Sequence, residues 1–274
     1  MGEATTIGPE RDPLTLNTLV EAFRGVGLVS GQTVLAHASL SSLGWVAGGA
    51  QVVLQALLTV LTPTGTLMMP THTGHNTDPA HWANPPVPDT WWATIRENMP
   101  PYDPALTPSY AVGRVAELFR TFPGVKRSQH PIGSFAALGA QANFLLTDHR
   151  LESIFGENSP LARLYELRGW VLLIGVGHAA NTSLHLAEYR ADYPGKRTRT
   201  EGCAMTINGR RRWVTHETLA LHTEDFPVLG AAFETAHGLP IHPVAAAEVR
   251  FMPVRPLVDF AVDWMTRHRD FSTG

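Results

Sequence analysis

His185 and Glu188 stand three residues apart in LLIGVGHAANTSLHLAEYRADY (172–193), so on a helix both side chains share one face near its N-terminal end. A histidine there can serve as a general base. The positive end of the helix dipole disfavours imidazolium, whereas the nearby carboxylate pulls the opposite way. A carboxylate can also hold an imidazole in one tautomer, as the third member of a triad does. The same residues also read as a partly buried histidine above a structural ion pair.

Other chemistries leave weaker traces. The chain has 13 histidines, but no His completes a zincin arrangement with His185-x-x-Glu188, and His72 and His75 lie in a loop without a carboxylate triad. No metal is expected. No G-x-S-x-G elbow flanks Ser128, Ser134 or Ser183, which argues against a serine nucleophile. The turn from His37 to Gly49 is rich in hydroxyl and glycine residues directly after a strand, so it can offer backbone N–H groups and hydroxyls to an anion. It has neither the lysine of a Walker loop nor dinucleotide-binding glycine spacing.

The elements that must position these groups follow an α/β rhythm. Residues 172–176 are a short apolar run suited to a strand buried on both faces, with Gly175 and Gly177 for a bend or close approach. Asn181 or Thr182 is expected to cap the helix that follows, and Pro194-Gly195 to close it. Upstream, hydrophobic periodicity predicts helices over 14–25 and 50–61 and strands over 33–38 and 65–69. Residues 71–108 form a long loop, rich in Trp and Pro, with one short helix over 90–98; long loops of this kind are often functional. A helix over 112–122 and an apolar run over 134–138 follow it. Asn208-Gly209 between 203–207 and 212–215 signals a hairpin, which makes 200–220 a small subdomain or flap. Helices over 225–238 and 256–269 flank a strand over 249–253. The expected fold is a layered α/β/α core around a mixed sheet, with the loop insertion and the small C-terminal β-hairpin, and 1–274 as a single domain.

Composition narrows the classes. A chain of 274 residues with 44% hydrophobic content can bury a large core. Net charge of −3 with scattered basic residues argues against nucleic acid and suits a cationic substrate. The single cysteine, Cys203, excludes an internal disulfide and fits a reducing cytoplasm. The polar N-terminus is no secretory signal, and no run approaches the roughly 20 apolar residues of a membrane span.

Taken together, the blocks HASLSSLGWVAGGA (37–50), GTLMMPTHTG (65–74), DPAHWANPPVPDTWW (78–92), YDPALTPS (102–109), RSQHPIGSFAALG (127–139), GENSPLARLYEL (156–167) and LLIGVGHAANTSLHLAEYR (172–190) resemble the aminoglycoside 3-N-acetyltransferase family. The resemblance runs from about residue 16 to 269. It implies direct acetyl transfer from acetyl-CoA to an amine of the 2-deoxystreptamine ring, with the essential histidine at His185 and Glu188 orienting it or meeting the substrate. By the same resemblance, acetyl-CoA is met by His37, Ser39, Leu40 and Ser41 together with Arg127, Ser128 and Ser134. Asp78 and Asp103 are candidates for holding the antibiotic's ammonium groups. Beyond Tyr193 the match is only in outline, and Glu201, Glu217, Glu224 and Asp225 there either line the acceptor site or are solvated. The expected partner is an aminoglycoside or another cationic amine, and the expected assembly a monomer or homodimer.

Overall fold

The computed structural model describes residues 12–272; the N-terminal stretch that argued against a secretory signal lies almost wholly outside them. Thr15 and Thr18 cap helix α1 (Leu16–Val26) reciprocally, and Gly27 ends it in the left-handed region. Strand β1 (Thr33–Ala38), helix α2 (Gly49–Leu61) and strand β2 (Thr66–Pro70) follow. The long loop contains α3 (Trp92–Asn98) and gives way to α4 (Gly113–Arg120), β3 (Lys126–Arg127), β4 (Phe135–Gly139), α5 (Ala142–Leu146) and α6 (Pro160–Glu166). Next come β5 (Trp170–Ile174), α7 (Leu184–Arg190), the β6 (Thr198–Ile207) and β7 (Arg210–Leu219) hairpin, α8 (Phe226–His237), β8 (His242–Val244), β9 (Ala247–Pro253) and α9 (Val254–His268).

Seven strands form one mixed sheet in the order β3-β4-β2-β1-β5-β9-β8. Strands β2, β1 and β5 run parallel at its centre, and β4 and β9 pair antiparallel on either side. Every residue of β1 and β2 is buried, as expected of parallel strands covered on both faces. Side-chain alternation divides the core in two. Val34, Ala36 and Ala38 pack with Leu19, Leu54 and Phe119 of α1, α2 and α4, whereas Leu35 packs with Leu184, Phe233 and Leu257 of α7, α8 and α9. His37 therefore points to the α7 face of the sheet.

The hairpin strands are ten residues each, longer than the apolar pattern marked, because most of the added residues are polar. Strand β8 and helices α5 and α6 were not anticipated either. Helix α6 carries a legible start, since the Ser159 hydroxyl accepts from Leu161 N–H ahead of Pro160. Among the described residues no helix is long and apolar enough to cross a membrane.

Two imidazoles, His130 and His149, lie against each other inside the fold with ring centroids 4.5 Å apart and planes tilted by 43°. His130 Nδ1 accepts from the Ile132 and Gly133 N–H groups, and burial pushes its pKa well below the usual histidine value. Burial likewise lowers His149, to about 4. The folded state thus prefers both neutral; the stability they contribute is fully present above pH ~6.5 and is lost as pH falls toward 4. Urea denaturation at about pH 5 should give an unfolding free energy roughly 2 kcal/mol or more below that at about pH 7.5, before carboxylates begin to protonate. Equal stability at the two pH values would show that these imidazoles are not neutral and buried as described.

Candidate active site

Strand β5 delivers the site. Ser39 N–H donates to the Ile174 carbonyl (2.9 Å), extending the β1–β5 ladder, and the chain then bends at Gly175, with φ of 61°. A Cβ at Gly175 would lie 2.3 Å from Ser42 Cβ, so a glycine is needed where the turn after β1 meets the end of β5. Ser42 Oγ lies 3.0 Å from the Gly175 carbonyl and 2.8 Å from Ser39 Oγ, which fixes the turn.

The start of α7 differs from expectation. A short 3-10 turn, His178–Ala180, intervenes, so the N-cap is Ser183 rather than Asn181 or Thr182. Asn181 still organises it: its buried Oδ1 accepts from the Ser183 N–H (3.3 Å) and hydroxyl (2.6 Å). The helix ends at Arg190, before Pro194-Gly195.

His185 and Glu188 do meet. Glu188 Oε2 accepts a hydrogen bond from His185 Nδ1, which assigns the ring proton to Nδ1 and leaves Nε2 able to accept a proton. The imidazole stacks on Phe155 (centroids 4.9 Å, planes 12° apart), contacts Phe226 at 5.0 Å and is 9% exposed. Glu188 is fully buried. Its other oxygen accepts from the His222 N–H (2.9 Å) and from Arg269 Nη1 (2.7 Å). Burial alone would raise its pKa, but the hydrogen bond from His185, the charges around it and the His222 N–H outweigh burial and hold it below the usual carboxylate range. Arg269 is itself gripped by both Asp225 oxygens at 2.7 Å. Burial opposes its charge, yet Asp225 and Glu188 together raise its pKa further above the ordinary value.

Beside this assembly lies a cleft of about 670 Å³. His37, Ser39, Leu40 and Ser41 line it, and Thr182 and His72 bring the wall close to His185. His185 is not itself on the wall; the Thr182 carbonyl accepts its N–H (3.1 Å), and Phe155 touches both His185 and His72. His37 Nε2 is buried without a partner, and burial together with the nearby His185 lowers His37 to about 3, so its imidazole is neutral. Trp45, 43% exposed, and Arg114, at the start of α4, also line the cleft. Exposed guanidinium, hydroxyls and an unpartnered imidazole are fitting contacts for a long phosphorylated thioester.

Five of the residues expected to meet ligand lie away from this wall. Arg127, Ser128 and Ser134 do not reach the cleft, because their polar atoms are engaged inside the fold. The Arg127 guanidinium donates to the Thr71 and Ser134 hydroxyls and to the Thr71, Pro104 and Thr107 carbonyls. Ser128 Oγ bonds His149 Nδ1 and accepts from the Phe135 N–H, and Ser134 Oγ donates to the Thr71 carbonyl. Asp78 pairs with Arg96 (2.6 Å) and accepts from the Ala80 N–H, while Asp103 accepts from the Ala105 and Leu106 N–H groups. Glu201 neither lines the cleft nor is solvated; it is buried and accepts from the Asp78 N–H (2.9 Å), binding the long loop to β6. Arg269, which completes the Glu188 pairing, was not visible in the sequence, for it shares no motif with Glu188. Trp45 stands inside the HASLSSLGW block, but nothing about its residue type set it apart there. No group of three or more His, Cys, Asp or Glu disposed to hold a metal ion occurs among the described residues.

Removing Arg269 leaves the buried Glu188 without its cationic partner. Arg269→Met should lower unfolding free energy by roughly 3–5 kcal/mol in urea denaturation, as expected when one member of a buried pair is deleted. A loss under about 1 kcal/mol would mean that Glu188 does not depend on this pairing.

The aminoglycoside 3-N-acetyltransferase family model matches residues 35–266. Over 253 residues, 92% of each chain, the protein is 43% identical to the SPbeta prophage-derived aminoglycoside N(3')-acetyltransferase-like protein YokD of Bacillus subtilis. The YokD crystal structure superposes with a TM-score of 0.94, covering 97% of this chain and 98% of that one. Aminoglycoside N(3)-acetyltransferase VII of Streptomyces paromomycinus is 36% identical over 97% of this chain and 96% of its own. A solved AAC-IIIb bound to CoASH is 28% identical, covers 96% of this chain and 100% of that one, and has a TM-score of 0.83. With a buried His–Glu pair beside an open cleft, and these likenesses along nearly its whole length, the chain belongs to the aminoglycoside 3-N-acetyltransferase family.

Proposed function

We propose that the protein transfers an acetyl group from acetyl-CoA directly to the 3-amino group of the 2-deoxystreptamine ring of an aminoglycoside, and so confers resistance, with residues 1–274 acting as one catalytic domain. The observation that carries the mechanism is the His185 Nδ1–Glu188 hydrogen bond, which leaves Nε2 as the free basic atom. The amine nitrogen attacks the thioester carbonyl carbon while His185 Nε2 takes its proton. The carbon–sulfur bond then breaks, and the proton held by His185 passes to the departing CoA sulfur. Glu188 keeps Nδ1 protonated and stabilises the transient imidazolium; Arg269 keeps Glu188 ionised.

His37, Ser39, Leu40 and Ser41 are the residues we assign to acetyl-CoA. A cytoplasmic setting, where acetyl-CoA is made, agrees with the buried free thiol of Cys203. Another cationic amine is the second reading, favoured by the engagement of Asp78 and Asp103 in the loop itself.

Thiol release from acetyl-CoA, measured with and without gentamicin, kanamycin and apramycin, tests the reaction. It should depend on the acceptor, and His185→Ala should reduce turnover at least about 100-fold while leaving CoA binding largely intact. Unchanged turnover in that variant would remove His185 as the base; no release with any aminoglycoside, but release with a simpler amine, would favour the second reading. Glu188→Gln should lower kcat more than it raises the acceptor KM, whereas a change in KM alone would assign Glu188 to binding.

A further inference from the structure

The proposed base accounts for the proton but leaves the negative charge that develops on the thioester oxygen without a partner. His72 is placed to meet that charge. Although β2 ends at Pro70, its ladder with β4 continues: Thr71 N–H donates to the Ser134 carbonyl (2.9 Å) and Thr73 N–H to the Ile132 carbonyl (2.8 Å). Alternation along this extension puts His72 on the same face as Met68, which packs in the α7 layer. His72 therefore faces the side of the sheet that carries His185, and it lines the cleft. Its ring lies 5.1 Å from Phe155, the ring on which His185 stacks at 4.9 Å, and meets Phe135 edge-on at 5.3 Å.

Three features give the site its chemistry. First, His72 Nε2 is buried without a hydrogen-bond partner, an arrangement that costs free energy unless a ligand completes it. Second, the titratable neighbours that act on His72 are His185, His37, His149 and Arg127, with no carboxylate among them. No carboxylate there competes for its N–H, which suits an oxygen gaining negative charge. Third, burial, followed by the influence of those neighbours, lowers His72 to about 3, so its imidazole is neutral and can donate an N–H without carrying charge. Neutral histidines polarise substrate carbonyls in this way in other enzymes.

Building on the proposed acetyl transfer, we propose that His72 is a second catalytic residue, whose imidazole N–H donates a hydrogen bond to the thioester carbonyl oxygen. When the amine attacks, the carbonyl π pair moves onto that oxygen and His72 stabilises it. When the pair returns, the carbon–sulfur bond breaks and the sulfur leaves with its electrons. His72 holds its proton throughout; the amine proton goes to His185.

The pinned backbone on either side of His72 makes this donor preorganised, which is where such groups contribute most. His72→Phe keeps an aromatic ring in the same packing and removes the donor; it should lower kcat roughly 100-fold with the Kd for CoA and the melting temperature little changed. His72→Asn, which retains a donor, should recover part of the loss. In infrared difference spectra, the isotope-labelled acetyl carbonyl of bound acetyl-CoA should lie at lower frequency in the wild type than in His72→Phe. This measurement reports on the oxygen even where one variant turns over poorly for other reasons. Wild-type-like kcat in His72→Phe, a loss accounted for by CoA affinity, or a carbonyl frequency indifferent to the substitution would each overturn the assignment. Wild-type protein without acetyl transfer to any amine would instead remove the proposed function on which it rests, an outcome visible before any variant is made.

Discussion

A carboxylate with no exposed surface must be compensated from every side, and Glu188 imposes that requirement on most of the C-terminal half of the chain. One oxygen faces His185; the other draws in the His222 N–H and the Arg269 guanidinium. Arg269 lies just past α9, so the last helix has to dock where its end reaches α7. Asp225 then balances the arginine's remaining charge and fixes the approach to α8. The orientation of one imidazole is thereby tied to the packing of three helices.

On the His37 and His72 side the polar interior is built differently, from hydroxyls, neutral imidazoles and one arginine whose donors all go to uncharged oxygens. Arg127 joins the 104–107 segment to the β2 extension through carbonyls and hydroxyls, and the Tyr102 ring lies 5.2 Å from its guanidinium. It is a strut between the sheet and the long loop. The contrast is informative: carboxylates near the reacting groups are confined to the Glu188 side, while the His37 and His72 side has none in contact. An amine shedding a proton and an oxygen acquiring charge thus find surroundings of opposite character.

Much of this was legible in the sequence because local rules governed it. The β5–turn–α7 unit, the 3.6-residue spacing that brings His185 to Glu188, and the Asn208-Gly209 hairpin all depend on neighbours within a few residues. The turn from His37 to Gly49 was legible for the same reason, as a run of hydroxyl and glycine residues directly after a strand. What escaped notice was non-local. Arg269 is 81 residues from Glu188 and carries no pattern of its own. Arg127, Ser128 and Ser134 were placed by family resemblance at the donor site, but where their polar atoms go depends on the pairing of β3 with β4, which no periodicity reveals. Asp78 and Asp103 looked available because acidic loop residues usually are; both are held by partners or by the turns they cap.

The long aromatic loop and the hairpin are joined through their main chains as well as by side chains. Asn76 exchanges hydrogen bonds with both the N–H and the carbonyl of Ala204, behaving like an additional strand residue, and Tyr102 N–H donates to that same carbonyl at 2.9 Å. Glu201 and Arg211 fasten further points, the latter to the Met99 carbonyl. Removing either segment would strip the other of backbone partners. For exchange among relatives, whether by recombination in nature or by grafting in the laboratory, the two segments form one heritable unit, to be swapped together or left in place.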